Sequence, residues 1–310
     1  MGLPEPQFLP GYSGGTLGVA VFFAISGYLV SKSWIDDPHV LRYLGRRVLR
    51  IWPGLTVAIV LTVVVLGPMQ TQLSLADYWS DPLTWHYFKN LRLSIQYLLP
   101  GVFPNNPYPN AVNGSLWTIP YEFRWYLALM VLGLVGLLRH RIGTLFFVAG
   151  LVTFAWWTLP SGPDQSHRWS VELGGYFMVG VLLNQFQDVA FRWPVRATLV
   201  LGLGAFPLIA FHQAYLVCVV AVPYAAIALG RSDLPLLRRA GRWGDPSYGL
   251  YIYAFPVQQV VVQQLGSDLG FVATLVLCTL VTTVFAYASW HGVERPALQL
   301  KRYLSRPLPR

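Results

Sequence analysis

Nine apolar stretches separated by short polar breaks constrain this chain more than any other feature. They lie at Leu17–Ser33, Trp52–Met69, Leu116–Leu138, Ile142–Leu159, Ser170–Phe186, Val195–Ala210, Gln213–Leu229, Pro246–Leu265 and Leu269–His291. The sixth and seventh form one apolar run, divided at Phe211-His212-Gln213. A membrane helix needs about 17–25 residues, and lipid tolerates only structures that satisfy their own backbone polar groups. These runs do not show the alternating pattern of an outer-membrane barrel. Of the 310 residues, 55% are hydrophobic and only 11% charged, against about 25% charged in soluble domains. The expected fold is an all-α integral membrane protein, a polytopic helical bundle of about nine transmembrane helices in a single domain over residues 1–310.

The net charge of +9 raises the question of a nucleic-acid partner, and the placement of the charge answers it. With the segment after the first stretch on the cytoplasmic side, 18 of the 22 Lys and Arg residues fall in cytoplasmic segments. Lys89, Arg92 and Arg168 stay outside, and Arg124 lies within a span. Such asymmetry is the positive-inside signature, so the N-terminus is expected outside and the C-terminus in the cytoplasm. The basic charge is then topogenic, and no nucleic-acid partner is expected. Cys218 and Cys278 sit inside apolar runs and read as small core residues. The six histidines are scattered without metal-ligand spacing, so no metal is expected.

Several stretches place chemistry inside this apolar frame. In "NGSLWTIPYEFRWYLALM", Glu122 and Arg124 stand where lipid would otherwise be. With Ser115 as N-cap, Glu122 is expected on the order of 10 Å below the outer surface at 1.5 Å per residue. A charge at mid-membrane costs about 2.5–3.5 kcal/mol on insertion scales, so it faces protein or an aqueous cavity. Glu122 and Tyr126 share a helix face, whereas Arg124 points to nearly the opposite side. The carboxylate is either functional or half of an interhelical ion pair. In "LRYLGRRVLRIWPGL", an amphipathic interfacial helix is expected to kink at Pro53. There Arg46, Arg47 and Arg50 could clamp phosphates or serve as an orientation signal. In "GGTLGVAVFFAISGYLV", Gly14, Gly18 and Gly27 permit close helix approach, and Ser26 reads as a packing hydroxyl. The long segment Gln70–Ser115 is expected outside, its Trp, Tyr and Asn residues forming either a carbohydrate surface or an interfacial aromatic belt.

The ordered set "GVAVFFAISGYLV", "RRVLRIWPGL", "SLWTIPYEFRWYL", "SYGLYIYAFPV" and "WHGVERPA" resembles the membrane-bound acyltransferase 3 family across nearly the whole chain. Members acylate hydroxyls of exported polysaccharides and related cell-envelope or secreted molecules. The resemblance implies acyl, in particular acetyl, transfer from cytoplasmic acyl-CoA to an extracytoplasmic glycan hydroxyl, in a bacterial plasma membrane. It implies a catalytic role for Glu122, the acidic residue of the Trp-Thr-x-x-x-Glu stretch, and acyl-CoA binding by Arg47 and Arg50, which match an Arg-x-x-Arg motif. Trp117, Tyr126 and Arg124 are the accompanying substrate-binding candidates. Two departures stand out. Ala254 occupies a position where many members carry His. The family's first helix, with a basic residue and a His about ten residues later, has no counterpart here, so the chain is expected to be a fragment of a longer reading frame. A transporter or flippase, or an inactive scaffold, are the rival expectations.

Overall fold

The computed structural model describes residues 7–9, 12–158, 165–211, 213–234, 241–266 and 269–304. The predicted break at His212, the end of the fourth stretch at Leu159, and the cations Arg238, Arg239, Arg306 and Arg310 lie outside them. Among the described residues, each of the nine apolar stretches overlaps a long helix. In chain order these are α1 (Gly14–Asp36), α2 (Val40–Leu61), α3 (Ile119–Leu134), α4 (Arg141–Thr158), α5 (Gln165–Gln185), α6 (Pro194–Ala210), α7 (Ala214–Gly230), α8 (Ser247–Leu265) and α9 (Phe271–Ser289). Among the described residues, four helical runs are long and apolar enough to cross a membrane: Gly14–Asp36, Val40–Gln70, Arg141–Thr158 and Phe271–Leu304. Among the described residues the strands form a single two-stranded ribbon, β1 (Gln7–Leu9) against β2 (Tyr12–Ser13).

The chain divides into two compact units. One comprises 4–43 and 121–239, the other 1–3, 44–120 and 240–310. In the first, Ser13 caps α1 by accepting the Thr16 amide, and α1 packs along α5. A Cβ at Gly27 would collide with the Phe177 carbonyl, and one at Gly180 with the Ala24 carbonyl. These two helices therefore meet backbone to backbone, the close approach that small residues allow. Asn184 Nδ2 donates to Ser31 Oγ at 3.1 Å across the same seam. Gly27 thus matches its expected packing role, whereas a Cβ at Gly18 would meet nothing.

Two expectations about α3 need correction. The helix begins at Ile119, after a 3-10 turn over Gly114–Thr118 that is capped by Asn113 rather than Ser115. It ends at Leu134, because Gly136 takes a left-handed conformation (φ 80°) that closes the turn. Its 16 residues span about 24 Å, less than the roughly 30 Å hydrocarbon core.

In the second unit, α2 runs through Pro53 without a break. The irregularity expected there falls instead on a π turn at Thr62–Leu66. In that register Pro68, lacking an N–H, cannot serve the Val63 carbonyl, which accepts the Tyr78 hydroxyl at 2.8 Å. A second π turn, Trp290–Glu294, follows α9. Helices α8 and α9 meet where a Cβ on Gly249 would strike Ala286.

The segment between α2 and α3 is not a free aromatic loop. It holds short helices at Leu75–Ser80 and Pro82–His86 and a 3-10 turn at Tyr87–Arg92. Tyr78, Tyr87, Val102, Phe103 and Val112 are fully buried. Asn106 Nδ2 donates to the Gln259 carbonyl at 2.9 Å, and Gln259 Nε2 donates to the Tyr108 and Ala111 carbonyls at 2.8 and 2.6 Å. The segment is therefore zipped along α8.

Candidate active site

Glu122 is the fourth residue of α3 and is 4% exposed. Its Oε1 accepts from the Tyr126 hydroxyl, one turn along the same helix, and from Ser26 Oγ on α1 at 3.4 Å. Ser26 Oγ and the Tyr126 hydroxyl are themselves 2.9 Å apart, closing a three-membered cluster. The Tyr43 hydroxyl donates to the Tyr126 carbonyl at 2.9 Å and its ring meets Trp34 edge-on at 5.2 Å. Trp125 Nε1 donates to the Ser170 carbonyl on α5 at 2.9 Å, and the Phe177 ring lies 6.1 Å from that of Tyr126. The carboxylate is thus fixed by hydroxyls whose own positions are fixed by packing.

The shared face predicted for Glu122 and Tyr126 is present, and Arg124 points away from it. Arg124 is exposed and lies over the Tyr121 ring at 5.5 Å. Ser26 is the residue that sequence reasoning undervalued. It stands twelve residues after Gly14, about 18 Å along α1 at 1.5 Å per residue. Glu122 is therefore level with the middle of that 23-residue helix. A second buried carboxylate in this unit, Glu172 on α5, escaped notice altogether. It accepts from the Tyr12 hydroxyl at 3.3 Å, and Arg168 lies 3.9 Å away, one turn earlier. Tyr12 in turn accepts from Tyr176 at 3.2 Å.

Trp117 belongs to the other unit, half-buried in the 3-10 turn before α3. Arg46, Arg47 and Arg50 of α2 are in that unit too. Arg50 Nη2 donates to Asp245 Oδ2 at 3.0 Å and to Ser247 Oγ at 3.2 Å, and Nη1 lies 3.9 Å from Glu294 Oε2. The guanidinium sits 5.9 Å over the Tyr248 ring, and that hydroxyl donates to the Ile51 carbonyl at 3.0 Å. Glu294, 2% exposed, accepts from Ser289 at 2.8 Å. Partial burial pushes the Asp245 carboxyl up, but Arg50 and the Ser247 hydroxyl and amide outweigh it, and the net shift is downward. Arg46 and Arg47 are half-buried on the same helix. Lys301 lies within electrostatic reach of Arg46, Arg47 and Arg50, and Leu304 packs against Gly45. Arg46, Arg47, Arg50 and Lys301 thus form a cationic cluster in which Asp245 and Glu294 face Arg50.

Comparison with known proteins gives these features a common setting. Residues 3–291 match the family described as acyltransferase domain. An O-acetyl transferase of Shigella phage Sf6 is 30% identical, the alignment covering 100% of this chain and 91% of the relative. Nodulation protein 10 of Rhizobium leguminosarum bv. viciae is 27% identical, with 93% and 83% covered. Exopolysaccharide production protein ExoZ of Rhizobium meliloti is 26% identical, with 93% and 91% covered. No solved structure matches the chain. With its apolar helices, its buried carboxylate and these relatives of nearly the same extent, the chain belongs to the membrane acyltransferase 3 family and is an O-acyltransferase.

Proposed function

We propose that the chain transfers an acetyl group from acyl-CoA on the cytoplasmic side to a hydroxyl of an extracytoplasmic polysaccharide. The observation that carries this reading is the buried Glu122 carboxylate, which accepts hydrogen bonds from the Ser26 and Tyr126 hydroxyls. An acceptor O–H directed at this carboxylate is polarised. Its oxygen attacks the thioester carbonyl, the C–S bond breaks, and the acceptor's proton ends on the departing thiol. Ser26 and Tyr126 orient the carboxylate and are placed to follow the proton. Arg47 and Arg50 hold the phosphates of the donor, and Asp245 and Glu294 preset the Arg50 fork until a phosphate takes the place of Asp245, the more exposed of the two.

The glycan acceptor is supported by the names of the phage and exopolysaccharide relatives. An aromatic ladder in the segment between α2 and α3 adds to it. The Trp79 and Trp85 rings lie 6.0 Å apart, the Trp85 and Phe88 rings 6.2 Å apart, and Trp85 is 55% exposed. Such faces stack on sugar rings. In the same reading all nine helical segments cross or enter the plasma membrane, with the N-terminus outside and the C-terminus inside, as the cation asymmetry requires. Exposed apolar side chains along α9, among them Phe271, Leu275, Leu280 and Val284, supply a lipid-facing surface.

The test is mass spectrometry of surface glycans from a deletion strain carrying either the parent chain or Glu122→Gln. O-acetyl groups should return with the parent alone. Equal restoration by the variant at equal protein level would remove Glu122 from the reaction. Labelling of cysteines placed near Asn106 from outside, and near Lys301 only after permeabilisation, tests the orientation, and the reverse pattern overturns it.

A further inference from the structure

We propose that Asn113 is a positioning residue for acyl transfer: it fastens the 3-10 turn that opens α3 to α8, through the backbone carbonyl that Pro256 leaves without a helical donor. In an α-helix the carbonyl of residue 252 accepts the N–H of residue 256, and proline has none to give. Asn113, 2% exposed, fills that gap, with Nδ2 donating to the Ile252 carbonyl at 2.9 Å. Its Oδ1 accepts the Ser115 amide at 3.1 Å. One side-chain amide thereby satisfies a carbonyl of α8 and an opening N–H of the 3-10 turn. Both are backbone groups that would be costly to leave unmatched in the interior.

Two neighbouring contacts hold the same turn to the same helix. A Cβ on Gly114 would run into the Phe255 ring, so the turn lies flat on that ring. Thr118 Oγ1 and the Tyr251 hydroxyl are 2.6 Å apart. Asn113, Gly114 and Thr118 thus meet Ile252, Phe255 and Tyr251, about one turn of α8. Thr118 leads directly into α3 at Ile119, and Glu122 is the fourth residue of that helix. The lock therefore fixes the start of the helix that carries Glu122. Tyr78 uses the same device at the Val63 carbonyl, beside Pro68, so the segment between α2 and α3 is tied near both ends to carbonyls released by proline.

The functional consequence rests on the role proposed for Glu122, whereas the lock does not. The experiment separates them with a double-mutant cycle in the full chain: Asn113→Ala, Pro256→Ala and both together. The readings are Tm in detergent and transfer of labelled acetyl from acetyl-CoA to surface glycan in membranes. Asn113→Ala should lower Tm by roughly 2–4 °C or more and lower transfer at least tenfold, about 1.4 kcal/mol in barrier. In the double variant the alanine introduced by Pro256→Ala brings an N–H that can donate to the Ile252 carbonyl. Most of the lost Tm should return, while transfer stays at least tenfold down because the Asn113 tie is still missing. Additive Tm changes would show that amide and carbonyl do not interact, and transfer recovering in step with Tm would show a folding role alone; either overturns the proposal. Should Asn113→Ala fail to fold, Asn113→Ser keeps a capping oxygen for Ser115 and loses the amide donor to Ile252 without adding charge, and the same cycle is run with it. If this pattern holds while Glu122→Gln transfers normally, Asn113 still positions the segment and the fault lies with the role given to Glu122.

Discussion

Glu122 and Arg50 are both charged side chains drawn out of water, and the fold holds them in opposite ways. Glu122 is surrounded by hydroxyls, those of Tyr126 and Ser26. Arg50 is surrounded by carboxylates, those of Asp245 and Glu294, with Ser247 completing the set. Hydroxyls orient a carboxylate through groups that can themselves pass a proton. Carboxylates cancel a guanidinium and preset its geometry, so that an incoming anion exchanges with one of them rather than entering an empty cationic site. The first arrangement suits a group that acts on a proton, and the second suits a group that recognises a phosphate.

The largest effect that could break this contrast is expected at Glu122. Glu122→Gln keeps the size and one acceptor of the side chain but removes the charge that polarises an acceptor hydroxyl. Transfer should fall at least tenfold, toward the range of roughly 10²–10⁴ for lost proton-transfer groups, with Tm little changed. A variant that unfolds, yet keeps full activity per folded molecule, would place Glu122 among structural groups. Tyr126→Phe and Ser26→Ala each remove one hydroxyl from the carboxylate, and each should cost less than Glu122→Gln. Steady-state kinetics should show the loss mainly in kcat, and a pure rise in acetyl-CoA KM would be the contrary result.

Arg50 should respond differently, which sharpens the comparison. Arg50→Ala is expected to raise the KM for acetyl-CoA about tenfold, the scale of one charge-assisted contact of about 1.5–3 kcal/mol, while kcat changes less. Arg50→Lys keeps the charge but not the fork that reaches Asp245, Ser247 and Glu294 together, so it should fall between parent and Arg50→Ala. A kcat-dominated loss with unchanged KM would remove Arg50 from donor recognition.

The helical segments were legible because hydrophobic runs and their lengths are local properties. The same is true of the Glu122–Tyr126 face, set by a four-residue spacing. What completes either site comes from far along the chain. Ser26 lies 96 positions from Glu122, and Asp245 lies 195 from Arg50, and nothing in the small-residue run around Ser26 distinguishes a packing hydroxyl from one that meets a carboxylate. The start of α3 was misplaced for a physical reason as well. Ser115 and Asn113 are both good caps, and the choice falls on Asn113 because its amide also has the Ile252 carbonyl to satisfy. Pro256 announced an unpaired carbonyl in the sequence, but not which side chain would find it. Arg124, placed within a span by its position in an apolar run, is exposed on the protein surface and lies over the Tyr121 ring.

The smallest expected effect concerns the partner of Arg50. Asp245 titrates below the ordinary carboxylate value, about 3.9 in peptides, because Arg50 and Ser247 outweigh its partial burial. A carboxylate whose folded pKa is depressed contributes stability that is present above its unfolded pKa and is lost as pH falls through the folded one. The parent should therefore lose a component of Tm below about pH 4 that Asp245→Asn does not lose. Glu294 also faces Arg50 and interacts with Asp245 across it, so the difference between the two curves reports Asp245 together with its effect on Glu294. Its side chain is 53% exposed, so solvent screens the pair and the difference should stay within about 0.2–1 kcal/mol and shrink with added salt. Parallel curves through acid pH would mean that Asp245 does not hold Arg50 in solution, and the exchange of a carboxylate for a phosphate at that guanidinium would lose its basis.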